Sequence, residues 1–113
     1  MRIGVHIILD LQGYRQKADN QQEIEAILHQ ITGKAGLTPL FVYFHQFTPQ
    51  GFTATAILSE SHINLHSWPE YNYLALDIFT CGNTEKAFLA EKLLIEYFKP
   101  DQVKRQVLER HSQ

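Results

Sequence analysis

The chain has 113 residues, a formal net charge of −2, and a composition that is 44% hydrophobic and 19% charged. That length suits one compact domain spanning 1–113, and the absence of a strong basic cluster excludes nucleic-acid binding by charge. The single cysteine, Cys81, excludes an internal disulfide framework and any multi-cysteine metal site.

A lone cysteine fits a reducing compartment. Met1-Arg2 leads into a run broken by Gly4, His6 and Asp10, which is not a signal-peptide pattern. No apolar stretch reaches the roughly 18 residues of a membrane helix. The expected location is the cytoplasm, with no membrane partner. So short a chain also has a high surface-to-volume ratio, and pairing with a second copy would bury more apolar surface.

Residues 3–11 alternate, with Ile3, Val5, Ile7, Leu9 and Leu11 set against Gly4, His6, Ile8 and Asp10. This predicts a strand with one buried face. Residues 12–19 read as a polar loop. Asn20 then caps a helix whose apolar stripe is Ile24, Ile27, Leu28 and Ile31, ended by Gly33 and Gly36. Thr38 to Phe47 is aromatic and β-branched and predicts a second strand. Thr48-Pro49-Gln50-Gly51 is a turn by its chemistry, and residues 52–59 form the return strand.

Residues 62–68 place His62, Asn64, His66 and Trp68 on one face and Ile63, Leu65 and Ser67 on the other; Pro69 ends the run. Residues 72–80 make a further strand, with Tyr73, Ala75, Asp77 and Phe79 opposite Leu74, Leu76, Ile78 and Thr80. Residues 84–98 predict a helix, capped by Asn83 or Thr84 and stopped before Pro100. A short edge strand over 102–109 closes the chain. The order β-α-β-β-β-β-α-β, with short turns between strands, predicts an α+β fold: a two-layer sandwich of one antiparallel sheet with two helices on one face.

Polar residues crowd the middle of the chain. Glu60, Ser61, His62, His66, Trp68 and Glu70 fall within eleven residues, and Cys81 follows the next strand. A hairpin that only builds core does not need these types. Three segments resemble signatures of one family, the prokaryotic S-adenosylmethionine decarboxylases. They are Phe44-His45-Gln46-Phe47-Thr48-Pro49-Gln50-Gly51, the run from Glu60 through Tyr71, and Asp77-Ile78-Phe79-Thr80-Cys81-Gly82. The likeness is dense from about residue 44 to 82, looser over 4–43 and poor after 83.

The resemblance implies a proenzyme that cuts itself between Glu60 and Ser61, giving pieces 1–60 and 61–113, with Ser61 converted into a pyruvoyl cofactor. The residues suit that chemistry. A serine hydroxyl can attack the preceding carbonyl; loss of the serine α-hydrogen then expels the Glu60 carboxylate, and hydrolysis leaves the ketone and ammonia. The likeness assigns His66 as the processing base, and Thr53 as a support for the oxygen-rich intermediate where the family usually has serine. Cys81 is implied as the donor that returns a proton to the substrate.

The implied substrate is S-adenosylmethionine, whose amine would form a Schiff base with the ketone. Phe47 and Trp68 suit its flat ring and sulfonium through stacking and cation–π attraction, with Glu70 as a polar contact. The family's site lies at a homodimer interface and draws on both copies. Ala54 and Asn72 stand where the family more often has glycine; the first would crowd the backbone near the site, and the second tolerates left-handed geometry.

Strand parity adds a constraint. Ser61 and His66 fall on opposite faces of a regular strand, so cooperation within one chain requires a bend near residues 60–62. His62 and His66 do not share a helix face and indicate no third ligand, so no metal is expected. Two alternatives remain open: a pyruvoyl-dependent decarboxylase of ornithine or arginine, and an unprocessed paralogue with a binding or regulatory role.

Overall fold

The structure is a computed structural model describing residues 1–16 and 18–113. Six strands and two helices follow in the order β1 (Arg2–Gln12), α1 (Gln21–Lys34), β2 (Pro39–Gln46), β3 (Phe52–Leu58), β4 (Ser61–Trp68), β5 (Tyr73–Thr80), α2 (Thr84–Phe98) and β6 (Gln102–His111), with a 3-10 turn at Pro69–Tyr71. The strands form one sheet in the order β2-β3-β4-β5-β1-β6, and every pairing is antiparallel. This is the expected two-layer α+β sandwich.

The alternations in the sequence become the two faces of the sheet. Val5, Ile7, Leu9 and Leu11 of β1, Phe52, Ala54, Ala56 and Leu58 of β3, Ile63 and Leu65 of β4, and Leu74, Leu76 and Ile78 of β5 are all buried. They form one core with Ile24, Leu28 and Ile31 of α1 and Ala87, Ala90, Leu94 and Phe98 of α2. Each fully buried large aliphatic side chain contributes about 1.5–3 kcal/mol, so this face is the main source of stability. The opposite face carries His6, Asp10, Thr53, Asn64, His66, Trp68, Tyr73 and Asp77, and among the described residues no helix covers it.

The caps fall largely where expected. The Asn20 side chain accepts from the Glu23 amide at 2.9 Å, and Asn83 accepts from the Glu85 and Lys86 amides. Helix α2 ends at Lys99, whose φ of 52° is left-handed, ahead of Pro100. Helix α1 differs from expectation: Gly33 lies inside it, and the break comes at Gly36, whose φ of +78° disfavours other residues.

Three further differences have physical causes. Ile3 is 46% exposed, although its parity matched the buried face; the β1–β6 register shifts between Arg2 and Gly4, and the bulge turns Ile3 outward. The 12–19 loop is not simply polar: Gln12 ends β1, Tyr14 and Ala18 are buried, and the Tyr14 ring meets Phe98 edge-on at 5.9 Å. Position 17 of that loop lies outside the described residues. Strand β6 is longer than expected, because it pairs with β1 along nearly all of its length.

Candidate active site

Glu60 and Ser61 lie where β3 turns into β4, a connection of only two residues, Ser59 and Glu60. Ser61 opens β4 opposite Thr80, the last residue of β5. That register brings Cys81, the next residue, against the Glu60–Ser61 peptide bond. The Glu60 carbonyl oxygen accepts from the Cys81 amide at 2.9 Å and from the Cys81 thiol at 3.2 Å. Two donors on one carbonyl oxygen polarise the carbon that a neighbouring hydroxyl would attack, and they are placed to hold the negative charge such an attack creates. Gly82 leaves room for the Glu60 side chain: a Cβ there would come within 2.0 Å of a Glu60 carboxylate oxygen.

The Ser61 hydroxyl itself is buried and has no hydrogen-bond partner among the described residues. A buried polar atom without a partner costs about 1–3 kcal/mol, so its persistence points to a use beyond packing. A hydroxyl held this way beside a polarised carbonyl is placed to attack it. Glu60 and Ser61 line an open cavity of about 150 Å³ with Thr38, Leu58, Thr80, Asn83 and Lys86.

The other expected residues gather elsewhere, on the sheet face the helices leave bare. Thr53 and His66 are register partners on β3 and β4, and the Thr53 hydroxyl meets His66 Nδ1 at 3.0 Å. With Phe47, Trp68 and Glu70 they line a pocket of about 370 Å³, to which Gln50, Phe52 and Ser67 also contribute. The left-handed Asn72 closes the 3-10 turn that carries Glu70. Phe47 is 48% exposed and Trp68 40%, which leaves area on this face for a ligand or a second protein surface. The Trp68 ring stacks on Tyr73, centroids 5.4 Å apart. The Tyr73 hydroxyl donates to Asp10, and burial, followed by that bond to a carboxylate, pushes its pKa up to about 12.

The eight expected residues therefore divide into two groups: Glu60, Ser61 and Cys81 at one end of β4, and Phe47, Thr53, His66, Trp68 and Glu70 toward the other. The chain bends at Ser59 and Glu60, but no bend interrupts β4 itself. Strand β4 pairs with β5 from Ser61 to Trp68 without a register shift. Five residues of strand separate Ser61 from His66 by about 16 Å and leave them on opposite faces. Ala54 does not crowd the site either; it is buried on the helix side of the sheet.

Sequence reasoning missed two features. Asp77 holds His6 at 2.9 Å and Asn64 at 3.4 Å, with His62 at 3.8 Å, so His62 has a partner distinct from that of His66. Lys86, 25 positions beyond Ser61, joins the Ser61 cavity because the first turn of α2 follows directly on Cys81-Gly82. Only the cap at Asn83, which fixes where that helix begins, could have signalled it.

A small antiparallel α+β domain with an unpartnered serine beside a doubly held carbonyl belongs among domains suited to self-processing. Comparison with known proteins narrows the class. The sequence profile described as S-adenosylmethionine decarboxylase matches residues 5–111. The chain is 40% identical over 109 residues to the S-adenosylmethionine decarboxylase proenzyme of a Sulfurihydrogenibium species, covering 96% of this chain and 82% of that one. It is 40% identical over 111 residues to the proenzyme of the same name from Archaeoglobus fulgidus, covering 97% and 99%. The crystal structure of the adenosylmethionine decarboxylase from Aquifex aeolicus superposes with a TM-score of 0.89 at 34% identity, over 96% of this chain and 91% of that one. The chain belongs to the S-adenosylmethionine decarboxylase family, a family of carboxy-lyases.

Proposed function

We propose that the protein is a pyruvoyl-dependent S-adenosylmethionine decarboxylase, made as a proenzyme that cuts itself between Glu60 and Ser61. The observation that carries this reading is the Ser61 hydroxyl, buried and unpartnered beside a Glu60 carbonyl held by Cys81. The hydroxyl oxygen attacks the Glu60 carbonyl carbon, and the amide becomes an ester with a free amine at Ser61. A base takes the Ser61 α-proton, the bond from Ser61 Cβ to the ester oxygen breaks, and Glu60 leaves as a carboxylate. One water then replaces the nitrogen, releasing ammonia and leaving a pyruvoyl terminus on chain 61–113.

The base is His66, held by Thr53, and the separation along β4 favours its supply by a second copy. In a homodimer that sets the Ser61 end of β4 in one copy against the bare sheet face of the other, His66 of the partner subunit can approach a Ser61 that its own His66 cannot. Half-exposed Phe47 and Trp68 on that face support the same arrangement.

The pyruvoyl ketone supplies the electron sink for loss of carbon dioxide. The chain's own residues do the rest. Phe47 and Trp68 receive the adenine ring and sulfonium, Glu70 makes the polar contact, and Cys81 delivers a proton to the substrate α-carbon. The product is the aminopropyl donor for spermidine synthesis, and the setting is cytoplasmic, where an exposed free thiol such as Cys81 stays reduced. No described helix is long and apolar enough to cross a membrane.

The test is the intact mass of purified protein. Wild type should yield 1–60 and a ketone-bearing 61–113, while Ser61→Ala stays whole. A wild type that remains one full-length chain, without ketone reactivity, refutes the reading.

A further inference from the structure

The Ser61 cavity contains a charge that the cleavage chemistry described so far does not use. Lys86 lies in the first turn of α2, three residues after the Asn83 cap. The positive end of a helix dipole disfavours a cation there. Among the described residues Lys86 makes no ion pair, and neither does Glu60, although both line the same cavity as Ser61. The Lys86 stem runs past Gly36, where an added Cβ would lie 3.4 Å from Lys86 Cε; the missing side chain at Gly36 leaves the stem its path. Two residues of opposite charge, neither ion-paired among the described residues, thus line one cavity with Ser61.

We propose that Lys86 assists self-cleavage by stabilising the departing Glu60 carboxylate, and this rests on the self-cleavage reading above. The need for it arises in one step. When the ester breaks, the electron pair of the bond between Ser61 Cβ and the ester oxygen leaves with Glu60, and the Ser61 α-proton goes to the base. Glu60 then bears two negative charges, its side chain and its new α-carboxylate, within one residue. Like charges that close are costly, and a cation at the same cavity lowers the barrier to creating the second one. The first step, attack on the carbonyl, creates its charge on the oxygen held by Cys81 and is independent of Lys86.

The two steps separate in a time course of freshly synthesised protein, with uncut amide, hydroxylamine-cleavable ester and cut chains counted together. Lys86→Met should accumulate ester, which breaks down roughly two- to fivefold more slowly, the scale of an ion pair at a partly open site. Lys86→Arg should restore the rate. In a Glu60→Gln background, where only one negative charge forms, the effect of Lys86→Met should shrink. In wild type, raising the salt concentration should lengthen the ester's lifetime by screening the pair. The inference is overturned if Lys86→Met clears its ester at the wild-type rate, if it accumulates uncut amide instead, or if salt leaves the wild-type ester unchanged. A wild type that never forms ester or cut chains removes the self-cleavage reading itself, a different outcome from a wild type that cleaves and is indifferent to Lys86.

Discussion

The separation of Ser61 from His66 makes a quantitative demand on a mixed dimer. Five residues of strand place the two groups about 16 Å apart on opposite faces, several times the reach of a proton transfer. Strand β4 cannot close that gap without breaking its eight pairs with β5. Two variants, Ser61→Ala and His66→Ala, should each fail to cut when made alone. Made together in one cell in equal amounts, they should pair at random, so about half of the His66→Ala chains find a Ser61→Ala partner. In that pair the intact Ser61 of one chain meets the intact His66 of the other, while the second site has neither. About one quarter of all chains should therefore be cut, every cut chain carrying the His66→Ala substitution. Mass spectrometry of the purified mixture counts them directly. If wild type cuts but the mixture stays whole, the base acts within its own chain, and the two-copy site is wrong.

Two further outcomes follow from single contacts. Cys81→Ala removes the thiol donor to the Glu60 carbonyl and leaves the amide donor in place. Self-cleavage, followed by gel, should slow by roughly two- to tenfold, the net worth of one hydrogen bond, while decarboxylation by the cut protein should fall far more; turnover at the wild-type rate would remove Cys81 as proton donor. The raised Tyr73 pKa carries a pH signature. The folded state holds this proton more tightly than the unfolded state, so the associated stability is present below pH 10 and is lost as pH rises through about 12. Urea midpoints between pH 9 and 11.5 should fall more steeply for wild type than for Tyr73→Phe; parallel curves would contradict the assignment.

Much of the fold was legible because alternation is a local signal. The parities of β1, β4 and β5 each name the buried face, and helix caps at Asn20 and Asn83 are written in single residues. What escaped was set by distant partners. Ile3 is turned outward by a bulge that depends on β6, a strand more than ninety positions away. Tyr14 and Ala18 are buried because the loop after β1 crosses the end of α2. The site divides the same way. The family resemblance pointed to Glu60, Ser61, Thr53, His66 and Cys81, and parity already set Ser61 against His66. Only the unbroken pairing of β4 with β5 shows that the chain does not bend to reconcile them. For Lys86 the only local signal was the Asn83 cap, which fixes where the helix begins but not which strand end packs beside its first turn.

The substrate remains the most direct test of the whole reading. A sulfonium has a fixed charge and no hydrogen to donate, so aromatic walls such as Phe47 and Trp68 suit it; ornithine and arginine end in hydrogen-bonding cations that favour a buried carboxylate partner. The measurement is carbon dioxide release by cut protein from S-adenosylmethionine, ornithine and arginine at equal concentration. The account predicts release from S-adenosylmethionine with little from the other two. Preference for ornithine or arginine would contradict it.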